Sequence, residues 1–268
     1  MLAGQRRALI MESVRRDGGV RVADLVVRLG VSDMTIRRDL DALAADGALA
    51  KVHGGAVALN GPAAEEPWFE AKSGLAAAAK DAIAEAAAAL VEPGSVIALS
   101  AGSTTYAVAA KLTGVPRLTI VTNSLPIADL LRATGRDRDD DQPSGPTLLL
   151  TGGSPTRSAA LVGPLADQAL STLHVDLLIL GTHGVTGDAG LTTPNLAEAQ
   201  TNRALIAAAR RVAVVADHTK WGVTGLSSFA ALDHVDYFVT DDNLPDEARA
   251  ALGEHGAEVI IAETAGAH

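Results

Sequence analysis

Two groups of residues in this chain have types and spacings suited to chemistry. The first is Ser32, Asp33, Met34, Thr35, Arg37 and Arg38, packed into one short stretch. Guanidinium groups bind phosphates and guanine edges, while hydroxyls serve bases or backbone. Lys51, His53 and Gly54 lie a little further on and could touch a phosphate backbone, although His53 fits a packing role as well. The second group is scattered: Ser100, Gly102, Ser103, Thr104 and Thr105; Thr122, Asn123 and Ser124; Gly152 and Gly153; then His183, Glu198, Asp217 and Lys220. Glycines let a ligand approach the backbone, N–H groups at a helix start bind anions, and hydroxyls add donors. Lys220 would supply a countercharge, and Asp217 and Asn123 could hold sugar hydroxyls. This inventory predicts a phosphorylated sugar or polyol rather than an apolar ligand.

The first group needs a helix. Ser32 is placed as an N-cap, and Ile36, Leu40 and Leu43 follow at i, i+4 and i+7, so one face points into a core. Thr35, Arg37 and Arg38 lie off that stripe, as a helix entering the DNA major groove requires. Arg21–Leu29 reads as a short amphipathic helix closed by Gly30, a left-handed turn residue. An earlier helix is expected over Ala3–Arg16, with Leu9, Ile10, Ser13 and Val14 inward. Gly47–Leu59 alternates like two short strands around a Gly-Gly turn, a wing beside the recognition helix. Together these predict a winged helix-turn-helix over residues 1–59; a small helical bundle that happens to carry arginines is the alternative.

The second group needs a sheet. From residue 73 onward helical stretches are expected near 74–91, 104–112, 124–134, 195–210 and 245–254. Apolar runs alternate with them: Val96–Leu99, Leu118–Val121, Thr147–Leu150, Val175–Leu180, Val212–Ala216, Val235–Val239 and Val259–Ile261. This pattern predicts an α/β domain, Rossmann-like, with a mostly parallel sheet. The first five runs each lead into one of the polar motifs above, and ligands of such sheets sit beyond the carboxyl ends of the strands. Each motif alone is also ordinary turn chemistry. Glu198 fits a capping box with Asn195. His183 could be an exposed turn residue, Asp217 and Lys220 a structural ion pair, and Trp221 a cover for the core edge.

Charge divides the chain in the same place. It holds 22 Lys+Arg against 32 Asp+Glu. Residues 1–59 contain nine basic and seven acidic residues, leaving thirteen basic and 25 acidic for the remainder. A mildly basic head on an acidic body would bind DNA locally and weakly as one copy. Useful affinity then calls for a homodimer or homotetramer on repeated half-sites. Asn60–Pro67 reads as a linker within 60–72, and residues 73–268 as the second domain; the polar tract 133–146 reads as a surface loop. No cysteine is present, which excludes thiol chemistry and suits a reducing cytoplasm. No signal peptide or membrane span is expected, no spacing suggests a zinc site, and no nucleotide fingerprint calls for a cofactor.

Over nearly its whole length the chain resembles the DeoR family of bacterial sugar-metabolism regulators. The resemblance rests on Val31-Ser32, Thr35-Ile36-Arg37-Arg38-Asp39-Leu40, His53-Gly54-Gly55-Ala56, Lys80 with Ile83-Ala84, Gly102-Ser103-Thr104-Thr105, Thr122-Asn123-Ser124, Gly152-Gly153 and Asp217 with Lys220. It implies a winged DNA-binding head joined to a sensor domain resembling ribose-phosphate isomerase and glucosamine-phosphate deaminase folds. It also implies a repressor that a phosphorylated sugar releases from operator DNA, with Glu198 placed to touch a sugar hydroxyl. The chain departs from the family's pattern at Ser100, where an acidic residue is usual, and at Lys72, where arginine is more common. The rival reading is a sugar-phosphate isomerase or deaminase with an appended head. Asp217, Glu198 and His183 are its candidate bases, yet nothing in the sequence makes two of them converge, so a non-enzymatic regulator is expected.

Overall fold

The computed structural model describes residues 2–17, 19–45, 48–52, 54–58, 69–134 and 145–264. His53, most of the expected linker and most of the 133–146 tract lie outside them. The chain divides into two compact units, Met1–Ala77 and Ala78–His268. The division falls later than linker composition suggests, because a short helix at Phe69–Ser73 stays with the first unit.

The first unit runs α1 (Ala3–Asp17), β1 (Gly19–Arg21), α2 (Val22–Leu29), α3 (Asp33–Ala45), β2 (Leu49–Val52), β3 (Gly55–Ala58) and α4 (Phe69–Ser73). Ile10, Val14, Val22, Leu25, Ile36, Leu40, Leu43, Leu49 and Ala56 form its core. Burying a side chain such as Ile36 or Leu40 stabilises by roughly 1.5–3 kcal/mol. Gly30 ends α2 in the left-handed region at φ 64°, its N–H bonded to the Val26 carbonyl. Leu9 corrects the expectation for α1: it is 39% exposed, while its neighbours Ile10, Ser13 and Val14 are buried. The buried Ser13 hydroxyl donates to the Leu9 carbonyl at 2.7 Å and accepts from Arg28 Nη1 at 3.0 Å. The wing is a sheet of three strands, β1-β3-β2, where two were expected. Gly55 is obligatory there, since a Cβ would sit 2.1 Å from the Val20 carbonyl oxygen.

The second unit opens with α5 (Ala77–Ala88), β4 (Val96–Leu99), α6 (Ser103–Lys111), β5 (Thr119–Thr122), α7 (Leu125–Thr134) and β6 (Thr147–Leu150). A hairpin of β7 (Ser154–Pro155) and β8 (Leu161–Val162) leads to α8 (Pro164–Leu170), then β9 (Leu177–Gly181), β10 (Gly184–Thr186) and β11 (Gly190–Thr193). The chain closes with α9 (Leu196–Ala207), β12 (Val212–Val215), β13 (Ser227–Ala230), β14 (Tyr237–Asp241), α10 (Asp246–Glu254) and β15 (Glu258–Ala262). The seven apolar runs become one seven-stranded sheet, β15-β14-β12-β9-β4-β5-β6, with every pairing parallel. Alternate residues of a strand feed two cores. Leu178, Leu180, Val212 and Val214 pack with Leu170, Leu205 and Leu252 of α8, α9 and α10 on one face. Leu177, Ile179, Ala213 and Val215 pack with Ile83, Val108 and Ile127 of α5, α6 and α7 on the other. Burial on both faces is why β4, β5, β9, β12 and β14 read as unbroken apolar runs, whereas β6 at the sheet edge is apolar yet largely exposed. A small antiparallel sheet, β10-β11-β13, and the β7–β8 hairpin were not expected.

Candidate functional site

On α3 the groups singled out for DNA stand in the open. Ser32, Asp33, Met34, Arg37 and Arg38 are exposed and Thr35 is half-buried. Ser32 caps the helix, its hydroxyl accepting the Thr35 N–H at 3.3 Å. Met34, Arg37, Arg38 and Asp41 share one face by helical spacing. Arg37 Nε reaches Asp33 at 2.5 Å, and Lys51 pairs with Asp41, so two cations are held by acids of the same surface. The bond to Asp33 raises the Arg37 pKa above its ordinary value, so its charge is constant. Arg38 has no ion pair among the described residues. Gly54 forms the wing turn at φ 78°. Asp39, inside the same motif, faces the other way: it is 2% exposed and accepts from Arg6 Nη2 at 3.2 Å and Arg7 Nε at 3.4 Å. That inward carboxylate was not foreseen as an anchor between α1 and α3.

In the second unit, parallel strands place every polar motif on one edge of the sheet. In sheet order, loops 217–220, 181–184, 100–105, 122–124 and 151–153 follow β12, β9, β4, β5 and β6. The order reverses between β4 and β9, where a crevice of a doubly wound sheet lies. Those two loops touch: the Gly181 N–H donates to Ser100 Oγ at 3.0 Å, and Ser100 is buried.

Most of the hydroxyl and amide groups foreseen as ligand donors are used internally. Thr105 Oγ1 donates to the Gly102 carbonyl at 2.9 Å, and Thr122 Oγ1 to that of Leu99 at 2.7 Å. Ser124 Oγ accepts the Ile127 N–H at 3.4 Å, and Thr104 is also buried. Asn123 is 2% exposed; its Oδ1 accepts the Ala101 N–H at 2.9 Å and its Nδ2 donates to the Leu161 carbonyl at 3.1 Å. It therefore clamps the loops after β4 and before β8. The close approach that Gly153 permits is to β8, since a Cβ would meet the Val162 carbonyl oxygen at 2.6 Å. Gly152 and Ser103 remain half-exposed.

Half of the capping box expected at Glu198 is present. Asn195 caps α9, accepting from the N–H groups of Ala197 at 2.9 Å and Glu198 at 3.2 Å. The reciprocal half of a capping box is replaced: Asn195 N–H donates to Thr193 Oγ1, and the buried Glu198 carboxylate accepts from Thr156 Oγ1 at 2.5 Å, from Ser158 and from Thr193 Oγ1 at 3.3 Å. His183 is half-buried, its backbone N–H bonded to the Thr192 carbonyl. Asp217 is buried and caps the turn His218–Lys220, accepting from the N–H and hydroxyl of Thr219. Lys220 is half-buried, and Trp221 packs against the core.

One cluster was missed. At the end of β14, Asp241 is fully buried and accepts His218 N–H and Nδ1, each at 2.7 Å, and Asn243 Nδ2 at 3.1 Å. Burial pushes the Asp241 carboxyl up, but the His218 backbone, Asn243 and the His218 ring outweigh it and hold the group below the usual carboxylate range. The signal was available, since Asp241-Asp242-Asn243 follows an apolar run as the other motifs do. A cavity of about 440 Å³ opens at the opposite edge of the sheet, among Glu92, Ser95, Asp176, Arg210 and Arg211, and no strand-end residue lines it. Among the described residues no cluster of His, Asp and Glu could hold a metal, and no helix is long and apolar enough to cross a membrane.

A winged helix-turn-helix joined to a doubly wound α/β unit with a polar strand-end rim defines a DNA-binding regulator with a sensor domain. Residues 6–61 match the DeoR-like helix-turn-helix domain and residues 75–242 the DeoR C terminal sensor domain. The chain belongs to the DeoR family. It is 37% identical to the HTH-type transcriptional regulator YgbI of Escherichia coli K12, over 98% of this chain and 99% of that one. It is 32% identical to the glycerol-3-phosphate regulon repressor of the same organism, over 96% and 98%. Like these relatives it is a transcriptional regulator and not an enzyme. Ribose 5-phosphate isomerase A from Neisseria gonorrhoeae is a distant structural neighbour, with 17% identity and a TM-score of 0.37 over 55% of this chain and 54% of that one.

Proposed function

We propose that the chain represses genes of carbohydrate metabolism and releases their operator when a phosphorylated sugar or polyol binds the strand-end rim. The observation that carries this is the lining up of five polar loops and Lys220 on one edge of a fully parallel sheet, in a chain related over its length to a glycerol-3-phosphate regulon repressor. Ser32, Thr35, Arg37 and Arg38 of α3, with Lys51, His53 and Gly54 of the wing, contact the duplex; Asp33 and Met34 flank them. At the rim the loop backbones around Gly102–Thr104 and Gly152 cradle phosphate. Lys220 adds charge, and Ser100, His183, Glu198 and Asp217 shape the remainder. The head spans residues 1–59, a connector 60–72 and the sensor 73–268. The protein works in the cytoplasm as a dimer or tetramer, because one mildly basic head offers few phosphate contacts.

A gel shift on promoter fragments from the source genome tests both sites. It is run with glycerol 3-phosphate, ribose 5-phosphate, glucosamine 6-phosphate and their unphosphorylated counterparts. One phosphorylated compound should release a retained fragment while its counterpart does not. Failure to retain any fragment, or indifference of a retained one to every phosphate, sinks the reading.

A further inference from the structure

We propose that His218 is a contact for the anionic group of the effector, held in place by Asp241 and presenting Nε2 to the ligand. The inference rests on the effector reading above and adds a residue and a protonation event to it. Asp241 holds His218 twice, through the backbone N–H and through Nδ1, each at 2.7 Å. A buried carboxylate can only accept, so Nδ1 carries the proton and Nε2 is the nitrogen left over. Nε2 has no hydrogen-bond partner among the described residues, and the side chain is 37% exposed beside an Asp241 that is 0% exposed. The ring is thus fixed at one nitrogen and open at the other. Capping the turn does not require it, since Asp217 already does that through Thr219.

The imidazole stands on the loop after β12, one residue from Asp217 and two from Lys220. The charged groups near it are Asp217 and Lys220 on its own turn, and Asp241 and Asp242 from the end of β14. Asp242 is occupied by Asn243 Nδ2 at 3.1 Å and Thr264 Oγ1 at 3.0 Å. A phosphate oxygen reaching Nε2 would meet an acceptor on a neutral ring and a donor on an imidazolium. An imidazole can carry a proton on each ring nitrogen, and Asp241 already fixes the one on Nδ1. Donating from Nε2 while Nδ1–H stays on Asp241 requires a second ring proton, which ligand binding draws from solvent, leaving the imidazolium between Asp241 and the ligand.

The test uses the full-length protein, intact and as His218→Gln, with whichever phosphate of the panel releases the operator. Half-release should need about tenfold more of that phosphate for His218→Gln, while operator affinity without ligand stays unchanged. Calorimetry of the same phosphate in two buffers of different ionisation enthalpy gives the protons taken up on binding. The intact protein should take up more than His218→Gln. Asp241→Asn, read the same way, should also lower the uptake, because the ring loses its negative partner. Equal half-release concentrations overturn the inference, as does a weakened response with an unchanged proton count, which a merely structural histidine would give. If no phosphate releases even the intact protein, the effector reading falls and this inference with it.

Discussion

The face of α3 and the strand-end rim are both polar, but they hold their polar groups in opposite ways. On α3, Met34, Arg37 and Arg38 stand in solvent, and Arg37 is occupied only by Asp33 one turn away. At the rim, Thr105, Thr122, Asn123 and Ser124 are buried and bonded to backbone. The difference follows from partner size. A duplex supplies many contacts and a dense charge, so exposed and flexible cations suffice, and Arg37 gives up only its exposed pair with Asp33. A small ligand supplies few contacts, so its site must be rigid beforehand or the ordering cost consumes the affinity. In the proposed site, hydroxyls and amides at the rim would therefore build the cradle, and backbone groups with a few remaining side chains would line it.

The comparison breaks most visibly at Asp39, which lies in the DNA-reading motif yet behaves like a rim residue. Asp39→Asn leaves Arg6, with an 11% exposed side chain, beside a neutral partner. Removing one member of a buried pair costs roughly 3–5 kcal/mol, comparable to the whole stability of a small domain. Thermal melts should show the first unit unfolding far below the second, and operator binding should be lost for want of a folded head. A head that keeps its melting temperature would mean that Asp39 does not anchor α1 to α3.

Asn123 makes the converse case. Asn123→Ala strips a partner from the Ala101 N–H and the Leu161 carbonyl, and buried orphans cost about 1–3 kcal/mol each. The second unit should melt earlier and the effector response weaken, with operator affinity in the absence of ligand unchanged. Unchanged stability with a lost response would instead make Asn123 a direct ligand contact. Arg38→Ala sharpens the other side: as an exposed cation it should cost operator binding about 1–3 kcal/mol, about five- to 150-fold, and lower the salt slope by about one. Stability should change by less than about 0.5 kcal/mol. Loss of effector binding in that variant would erase the division between the two sites.

Much of this was legible in residue order, and the gaps have physical causes. α3 was expected from Asp33 to Leu43 and runs to Ala45, because Ser32 and the Ile36, Leu40, Leu43 stripe mark it from both ends. The five inner sheet strands were legible because burial on both faces demands unbroken apolar runs, and the edge strands β6 and β15 because they are apolar despite being less covered. Gly184–Thr186, Gly190–Thr193 and Ser227–Ala230 were not, being short and rich in glycine and hydroxyls, with the last paired to the second from far along the chain. β1 escaped because three residues running straight into a helix carry no period. At the rim, residue types and location could be read, but not how Asn123 or Thr122 spend their hydrogen bonds. That depends on which backbone group the fold brings within 3 Å. Asp241 and Asp39 were hidden for the same reason, since a carboxylate in a polar motif looks alike whether it faces water or a partner.

Ser32 carries the smallest expected effect and divides structure from contact most finely. Its hydroxyl accepts the Thr35 N–H at 3.3 Å and lies 2.9 Å from Thr35 Oγ1, while the residue itself is exposed. Ser32→Ala removes the cap and should lower the stability of the first unit by about 1 kcal/mol. Ser32→Asp keeps an oxygen acceptor at the cap and sets a negative charge at the positive end of the α3 dipole, so stability should be restored or exceeded. The same charge, next to Asp33, would face the phosphates of a bound duplex and should weaken operator binding, most at low salt. The aspartate variant should therefore be the more stable of the two and the poorer binder. If it binds operator as well as the intact chain does, the start of α3 does not approach the phosphate backbone, and the helix reads DNA from further along its length.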